Sequence, residues 1–191
     1  MILYLHGFRS SPQSFKARAL QAWMTEHGRA AQFCCPALSA SPAQAIAQAE
    51  ALMAGFASEE ISIIGSSLGG FYATWLAEKY GCRAVLVNPA VQPPRDLESY
   101  VGVSTSYHSD EVFEFKAEYM EQLRALSVAH ISEPQRYFLI AATGDEVLDW
   151  RDMVQHYAGA RHLIIPGSDH GIAEMTEHFA EVLAFCDAPH A

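Results

Sequence analysis

The residue types best suited to covalent chemistry gather in one pentapeptide, Gly65-Ser66-Ser67-Leu68-Gly69. It matches the pattern G-x-S-x-G, with Ser67 as its central serine. A random chain of this composition carries the pattern about 6% of the time, so context decides its meaning. Here it follows a strand-length run, Glu60 to Ile64, and opens a stretch with helical spacing, Leu68 to Tyr80. A sharp strand-to-helix turn holds such a serine in a strained backbone conformation, and the flanking glycines remove the Cβ atoms that would clash. The serine hydroxyl then projects above the sheet. The backbone N–H of Leu68 points to the same spot, as a donor to an oxyanion, and the helix N-terminus adds a favourable dipole. The competing reading is a glycine-rich helix start in which Ser67 only caps.

A serine is a weak nucleophile without a base and an acid that orients it. In the strand-turn-helix setting the chain order is serine, acid, histidine. Thr143-Gly144-Asp145-Glu146-Val147 follows the fifth strand-like run, and Gly167-Ser168-Asp169-His170-Gly171 follows the sixth. Ser67, Asp145 and His170 thus leave the carboxyl ends of three strands, which share one edge of a parallel sheet. Glu146 and Asp149 compete with Asp145 as the acid, although Asp149 reads better as a helix N-cap. Asp169 reads as a loop-positioning residue. The second oxyanion donor belongs in the loop after the first strand, His6-Gly7-Phe8-Arg9-Ser10, where the N–H of Phe8 is the candidate. His6 precedes the serine, the wrong order for a base, and reads as a loop stabiliser. Arg9 is either a binder of acidic groups or a surface charge. His27, His108, His130, His156, His162, His178 and His190 read as surface or structural. None shows metal-ligand spacing, so neither a metal nor another cofactor is expected.

The elements that must position these residues alternate along the chain. Strand-like runs are Ile2 to Leu5, Gln32 to Cys35, Glu60 to Ile64, Ala84 to Val87, Arg136 to Ala141 and His162 to Ile165. Helical spacing covers Phe15 to Glu26, Pro42 to about Gly55, Leu68 to Tyr80, Asp149 to Tyr157 and Ile172 to Phe185. Alternation of this kind implies an α/β fold, a mostly parallel six-stranded sheet with helices on both faces. Residues 90–133 break the rhythm and read as an insertion overhanging the ligand crevice, a small lid. Within it Glu111 to Leu126 reads as an acidic amphipathic helix. Phe113, Phe115, Tyr119 and Met120 either line an acyl pocket or pack the lid onto the sheet.

The chain has 191 residues, suited to a single domain spanning 1–191. Twelve Lys and Arg against 22 Asp and Glu give a formal charge of -10, which argues against a nucleic-acid partner. Cys34, Cys35, Cys82 and Cys186 form no CxxC pair and read as buried, inert thiols. No leader segment and no membrane span is visible, so the cytoplasm is the expected compartment.

The chain resembles the alpha/beta-hydrolase superfamily and, more narrowly, the small bacterial esterases of the YqiA/YcfP type. The resemblance rests on LYLHGFRSSPQSFKA (residues 3–17), GSSLGGFYATWLAE (65–78), VNPAVQP (87–93), TGDEVLDWR (143–151) and GSDHGI (167–172). It implies a sheet without the first two strands of larger hydrolases, and a carboxylesterase with Ser67 as nucleophile, Asp145 as acid and His170 as base. Its partner would be a small acyl ester or thioester. Asp169 stands where an Asn is associated with the motif. Two alternatives stay open: thioester hydrolysis or acyl transfer on the same triad, with Arg9 or Arg95 supplying charge, and a non-catalytic hydrolase-like binding protein.

Overall fold

Burial on both faces is what the apolar strands of this chain demand, and the computed structural model provides it. It describes residues 1–105 and 112–189. The order is β1 (Ile2–Leu5), α1 (Phe15–Glu26), β2 (Phe33–Cys34), α2 (Pro42–Met53), β3 (Ser62–Ser66), α3 (Leu68–Tyr80) and β4 (Arg83–Val87). There follow α4 (Pro93–Asp96), β5 (Gly102–Thr105), β6 (Val112–Phe115), α5 (Glu118–Ala125), β7 (Tyr137–Ala142), α6 (Trp150–His156), β8 (Arg161–Ile165) and α7 (Phe179–Cys186). Six strands form a parallel sheet in the order β2-β1-β3-β4-β7-β8. The inner strands β1, β3, β4 and β7 are buried throughout, while the edge strands β2 and β8 are partly exposed. That is the distribution expected of a sheet covered by helices.

Strand side chains alternate between two cores. Leu3, Leu5, Ile63, Leu86 and Leu139 pack on one face with Met53, Leu76 and Met153 from α2, α3 and α6. Ile2, Tyr4, Ile64, Val85 and Phe138 pack on the other with Leu20 and Met24 of α1 and Val182 and Leu183 of α7. Local signals set the helix ends. Ser14 caps α1 by accepting the Ala17 N–H at 3.4 Å. Ser41 caps α2, whose first residue is Pro42. Gly81, at φ 75°, closes α3 in a left-handed conformation.

Three expectations are corrected. The third strand begins at Ser62, because Ser58–Glu60 forms a tight turn in which the Glu60 carboxylate accepts the Ala57 N–H at 2.9 Å. The helix expected over Glu111 to Leu126 is instead β6 followed by α5, and β5 pairs antiparallel with β6. The β-branched and aromatic content of Val112–Phe115 favours a strand over the helix read there. The last helix is also shorter, since Ala173–His178 is a 3-10 segment ahead of α7.

Candidate active site

In the parallel sheet, β1 is flanked by β2 on one side and β3 on the other. This reversal of winding opens a crevice at the carboxyl ends of β1 and β3. Ser67 sits there, one residue beyond β3 and immediately before α3. Its backbone lies at φ 54°, ψ −120°, a conformation that a side chain other than glycine rarely adopts. The surroundings hold it. Its N–H donates to the Val87 carbonyl at 3.0 Å, and its carbonyl accepts the N–H groups of Gly70 at 2.9 Å and Ala90 at 3.0 Å. Two glycines make the close approaches possible. A Cβ on Gly69 would fall 2.0 Å from the Leu5 carbonyl oxygen, and one on Gly7 would fall 3.1 Å from Ser67 Cβ.

Asp145 lies on the turn after β7, its side chain fully covered. One carboxylate oxygen, Oδ1, accepts the N–H groups of Val147 and Leu148, both at 2.8 Å. The other, Oδ2, meets His170 Nδ1 at 2.7 Å. A carboxylate on Nδ1 selects the tautomer that leaves Nε2 as the basic nitrogen. Ser67 and His170 line one cavity of about 790 Å³. Among the described residues no hydrogen bond joins them. The two loops that carry Asp145 and His170 are stitched together. The Gly144 N–H donates to the Ser168 carbonyl at 3.0 Å, and the Gly167 N–H to Thr143 Oγ1 at 2.8 Å.

The rival carboxylates have other work. Glu146 Oε2 accepts the backbone N–H of His170 at 3.0 Å. Asp149 caps α6 through the Arg151 N–H at 2.9 Å. Asp169 Oδ1 accepts the Ile172 N–H at 3.0 Å, a loop-positioning bond. His6 accepts the Leu38 N–H on Nε2 at 3.1 Å, tying the loop after β1 to the chain beyond β2. The Leu38 bond makes Nε2 the acceptor, so Nδ1 carries the proton that faces the Gly7 carbonyl at 3.0 Å.

Asn88 is the positioning residue that sequence reasoning missed. It follows β4, is fully buried and adopts φ 42°. Its side-chain oxygen accepts the Ala142 N–H at 2.8 Å. Its amide donates to the carbonyls of Asp169 and His170 at 3.3 and 3.2 Å. One side chain therefore joins the end of β7 to the histidine loop. The signal lay in VNPAVQP, where a polar residue ends an otherwise apolar strand.

Leu68 and Phe8, the expected backbone donors, both line the cavity beside Gly7 and Ser67. The Leu68 N–H is among the first of α3, which have no intrahelical acceptor. The Phe8 ring packs edge-on against Phe115 at 4.9 Å and Tyr100 at 5.4 Å. Of the two readings of Phe113, Phe115, Tyr119 and Met120, the packing one describes the last three, none of which lines the cavity. Phe115, Tyr119 and Met120 are buried in the core on the α3 face. Gln122 of α5 accepts from Ser41 Oγ at 2.9 Å and from the Ala43 N–H at 3.0 Å. Leu97, Ser99 and Tyr100 do line the cavity. The Phe113 side chain, His108 and His190 lie outside the described residues.

Among the described residues there is no cluster of three His, Cys, Asp or Glu fit to hold a metal. All four cysteines are free; Cys82 and Cys186 are buried, but Cys34 and Cys35 are only half-buried. Burial pushes the thiols of Cys35, Cys82 and Cys186 up to about 12, which keeps them protonated and unreactive. Arg95 pairs with Asp152 at 3.4 Å rather than facing the cavity.

A parallel sheet with the elbow after β3 and the acid and histidine loops after β7 and β8 defines an alpha/beta-hydrolase fold. Solved structures share it at low sequence identity. Mouse alpha/beta hydrolase domain-containing protein 10 is 16% identical, covers 97% of this chain and 86% of its own, and superposes with a TM-score of 0.67. Est1E from Butyrivibrio proteoclasticus, solved with ferulic acid bound, is 15% identical over 96% of this chain and 87% of its own, with a TM-score of 0.70. A structure from the pair LipS and LipT, metagenome-derived lipolytic enzymes, is 18% identical over 97% and 92%, with a TM-score of 0.69. Residues 1–187 match the Uncharacterised protein family (UPF0227), and the chain belongs to that family.

Proposed function

We propose that the chain is a serine hydrolase that cleaves carboxylic esters through Ser67, His170 and Asp145. The observation that carries this reading is the 2.7 Å contact between Asp145 Oδ2 and His170 Nδ1 in a cavity whose wall also holds Ser67 on its strained turn. His170 removes the Ser67 proton as Oγ attacks the ester carbonyl. Asp145 orients the imidazole and stabilises the imidazolium. The N–H groups of Phe8 and Leu68 receive the oxyanion, where preorganised donors act with the most effect. Collapse expels the alcohol, which takes its proton from His170 and leaves an acyl-enzyme. A water activated by His170 then releases the acid and restores Ser67. None of these steps needs a metal or a cofactor.

Hydrolysis of a panel of 4-nitrophenyl esters by the wild type and Ser67→Ala tests the reading. Turnover should fall by about 10³-fold or more in the variant, because the nucleophile is gone while the cavity remains. Retention of near-wild-type turnover would place the chemistry elsewhere. Running acyl-CoA thioesters of matched chain length beside the esters separates the two substrate classes, and the ester should be preferred. Lys16 is the single lysine or arginine among the described residues lining the cavity, whereas a nucleotide-bearing group calls for clustered cations.

A further inference from the structure

Six large hydrophobic side chains are exposed among the described residues, and Phe15 and Val147 are the most exposed of them, at 61% and 59%. Both line the cavity that holds Ser67 and His170. One exposed apolar side chain is ordinary, but two at one cavity leave area that a ligand can cover. Neither side chain is required by its own local structure. Phe15 is the first residue of α1, directly after the cap Ser14. A hydrophobic staple would use the residue before the cap, and that residue is Gln13. Val147 serves Asp145 Oδ1 through its backbone N–H, which any residue but proline would supply.

Both stand beside the histidine loop. Lys16, which follows Phe15, donates to the carbonyl of Gly171, which follows His170, at 2.8 Å. Val147 and His170 share the Asp145 carboxylate, one on each oxygen. The charged neighbours are turned to the protein: Lys16 to Gly171, Glu146 Oε2 to the His170 N–H and Asp169 Oδ1 to the Ile172 N–H. Phe15 and Val147 are the large apolar side chains that this side of the cavity offers to solvent.

The chemistry says which half of an ester meets them. A general acid must lie within hydrogen-bond reach of the atom it protonates. The leaving alcohol takes its proton from His170, so the alcohol half of the ester departs beside the histidine loop. The acyl half stays on Ser67, and Leu68, Ala90 and Leu97, buried members of the core on the α3 face, line the cavity for it. We infer that Phe15 and Val147 form the alcohol side of this site, and that its substrates are esters of apolar alcohols rather than of charged or sugar-like ones. The inference rests on Ser67 and His170 acting as the proposed nucleophile and base.

Hexyl acetate and ethyl hexanoate are isomers that carry the longer chain on opposite sides of the ester. Both are compared with ethyl acetate in a pH-stat, below their solubility limits, with wild type, Phe15→Ser, Val147→Ser, the double variant and Phe15→Leu. Lengthening the alcohol from ethyl to hexyl should raise wild-type kcat/KM by about tenfold, a fraction of the roughly 200-fold that full burial of four methylenes would give. That gain should fall below about threefold in the double variant, fall by less in each single serine variant and survive in Phe15→Leu. The gain from ethyl acetate to ethyl hexanoate should stay the same in every variant. Each gain is a ratio within one protein, so any shift of the Asp145 turn cancels. A wild-type alcohol gain near one overturns the assignment, as does a gain that persists in the double variant. Loss of both gains together would assign the two side chains to the acyl chain and overturn it as well. Raising hexyl acetate past its solubility limit should add no rate, and a jump there would make the two side chains a contact for a lipid surface instead. Protein whose Ser67 takes a fluorophosphonate label but which hydrolyses none of the three esters overturns the alcohol side alone. Protein that neither labels nor hydrolyses overturns the hydrolase reading, and this inference with it.

Discussion

Asp145 is the residue at which geometry and charge can be separated. Asn at 145 keeps the volume and can still accept the N–H groups of Val147 and Leu148 on its carbonyl oxygen. It then turns an amide towards His170 Nδ1, favours the wrong tautomer and offers no charge to the imidazolium. Asp145→Asn should lower kcat by about 10⁴-fold while KM changes little, a split read from steady-state kinetics. Lys16 supplies the pH signature. Burial lowers it from 10.5 to about 8, against the opposing pull of Asp169 and Asp145, with His170 and Glu146 lining the same cavity. Between those two values the unfolded chain binds the extra proton, so this group's penalty on stability is full below about 8 and is relieved as pH rises towards 10.5. The unfolding free energy of the wild type should therefore rise between pH 8 and 10.5 relative to that of Lys16→Met, as read from urea melts across that range.

Elements place these residues, and Asn88 shows how. It links the end of β7 to the loop carrying Asp169 and His170 through three hydrogen bonds of one buried amide. Asn88→Asp can still accept the Ala142 N–H but loses both donors and sets a negative charge against two carbonyls. Turnover should fall by about 10²-fold, as for a base displaced by roughly 1 Å, with KM little changed. A purely structural role would lower the melting temperature without that kinetic split. Residues 65–69, 143–147 and 167–171 showed Ser67, Asp145 and His170 in the sequence because each sits in a short glycine-marked loop after an apolar strand. Asn88 was harder to see, since its partners lie 54, 81 and 82 residues away and are backbone atoms. The β5–β6 hairpin was hidden for a different reason: Glu111 to Leu126 reads as one amphipathic helix, but Val112–Phe115 pairs with Gly102–Thr105 across the chain. Periodicity along a segment carries no record of such a partner.

At the scale of the molecule, the parallel sheet does two things at once. It buries its inner strands between two helical layers, and it brings the loops after β1, β3, β4, β7 and β8 to one edge. The apolar strands made the sheet legible, because only a doubly covered sheet buries them. How residues 97–120 divide their described side chains was not legible. Phe115, Tyr119 and Met120 went into the core, whereas Leu97 and Tyr100 reached the cavity. Among the described residues, no helix is long and apolar enough to cross a membrane. If this architecture makes Ser67 a nucleophile, its hydroxyl must react with an electrophile that unactivated serines ignore. The most direct test is labelling with a fluorophosphonate probe, followed by peptide mass mapping, on wild type, Ser67→Ala and Asp145→Asn. Stoichiometric label is expected on the Ser67 peptide of the wild type, slow label in Asp145→Asn and none at that peptide in Ser67→Ala. Folded wild-type protein that takes no label, or takes it on another residue, would contradict it.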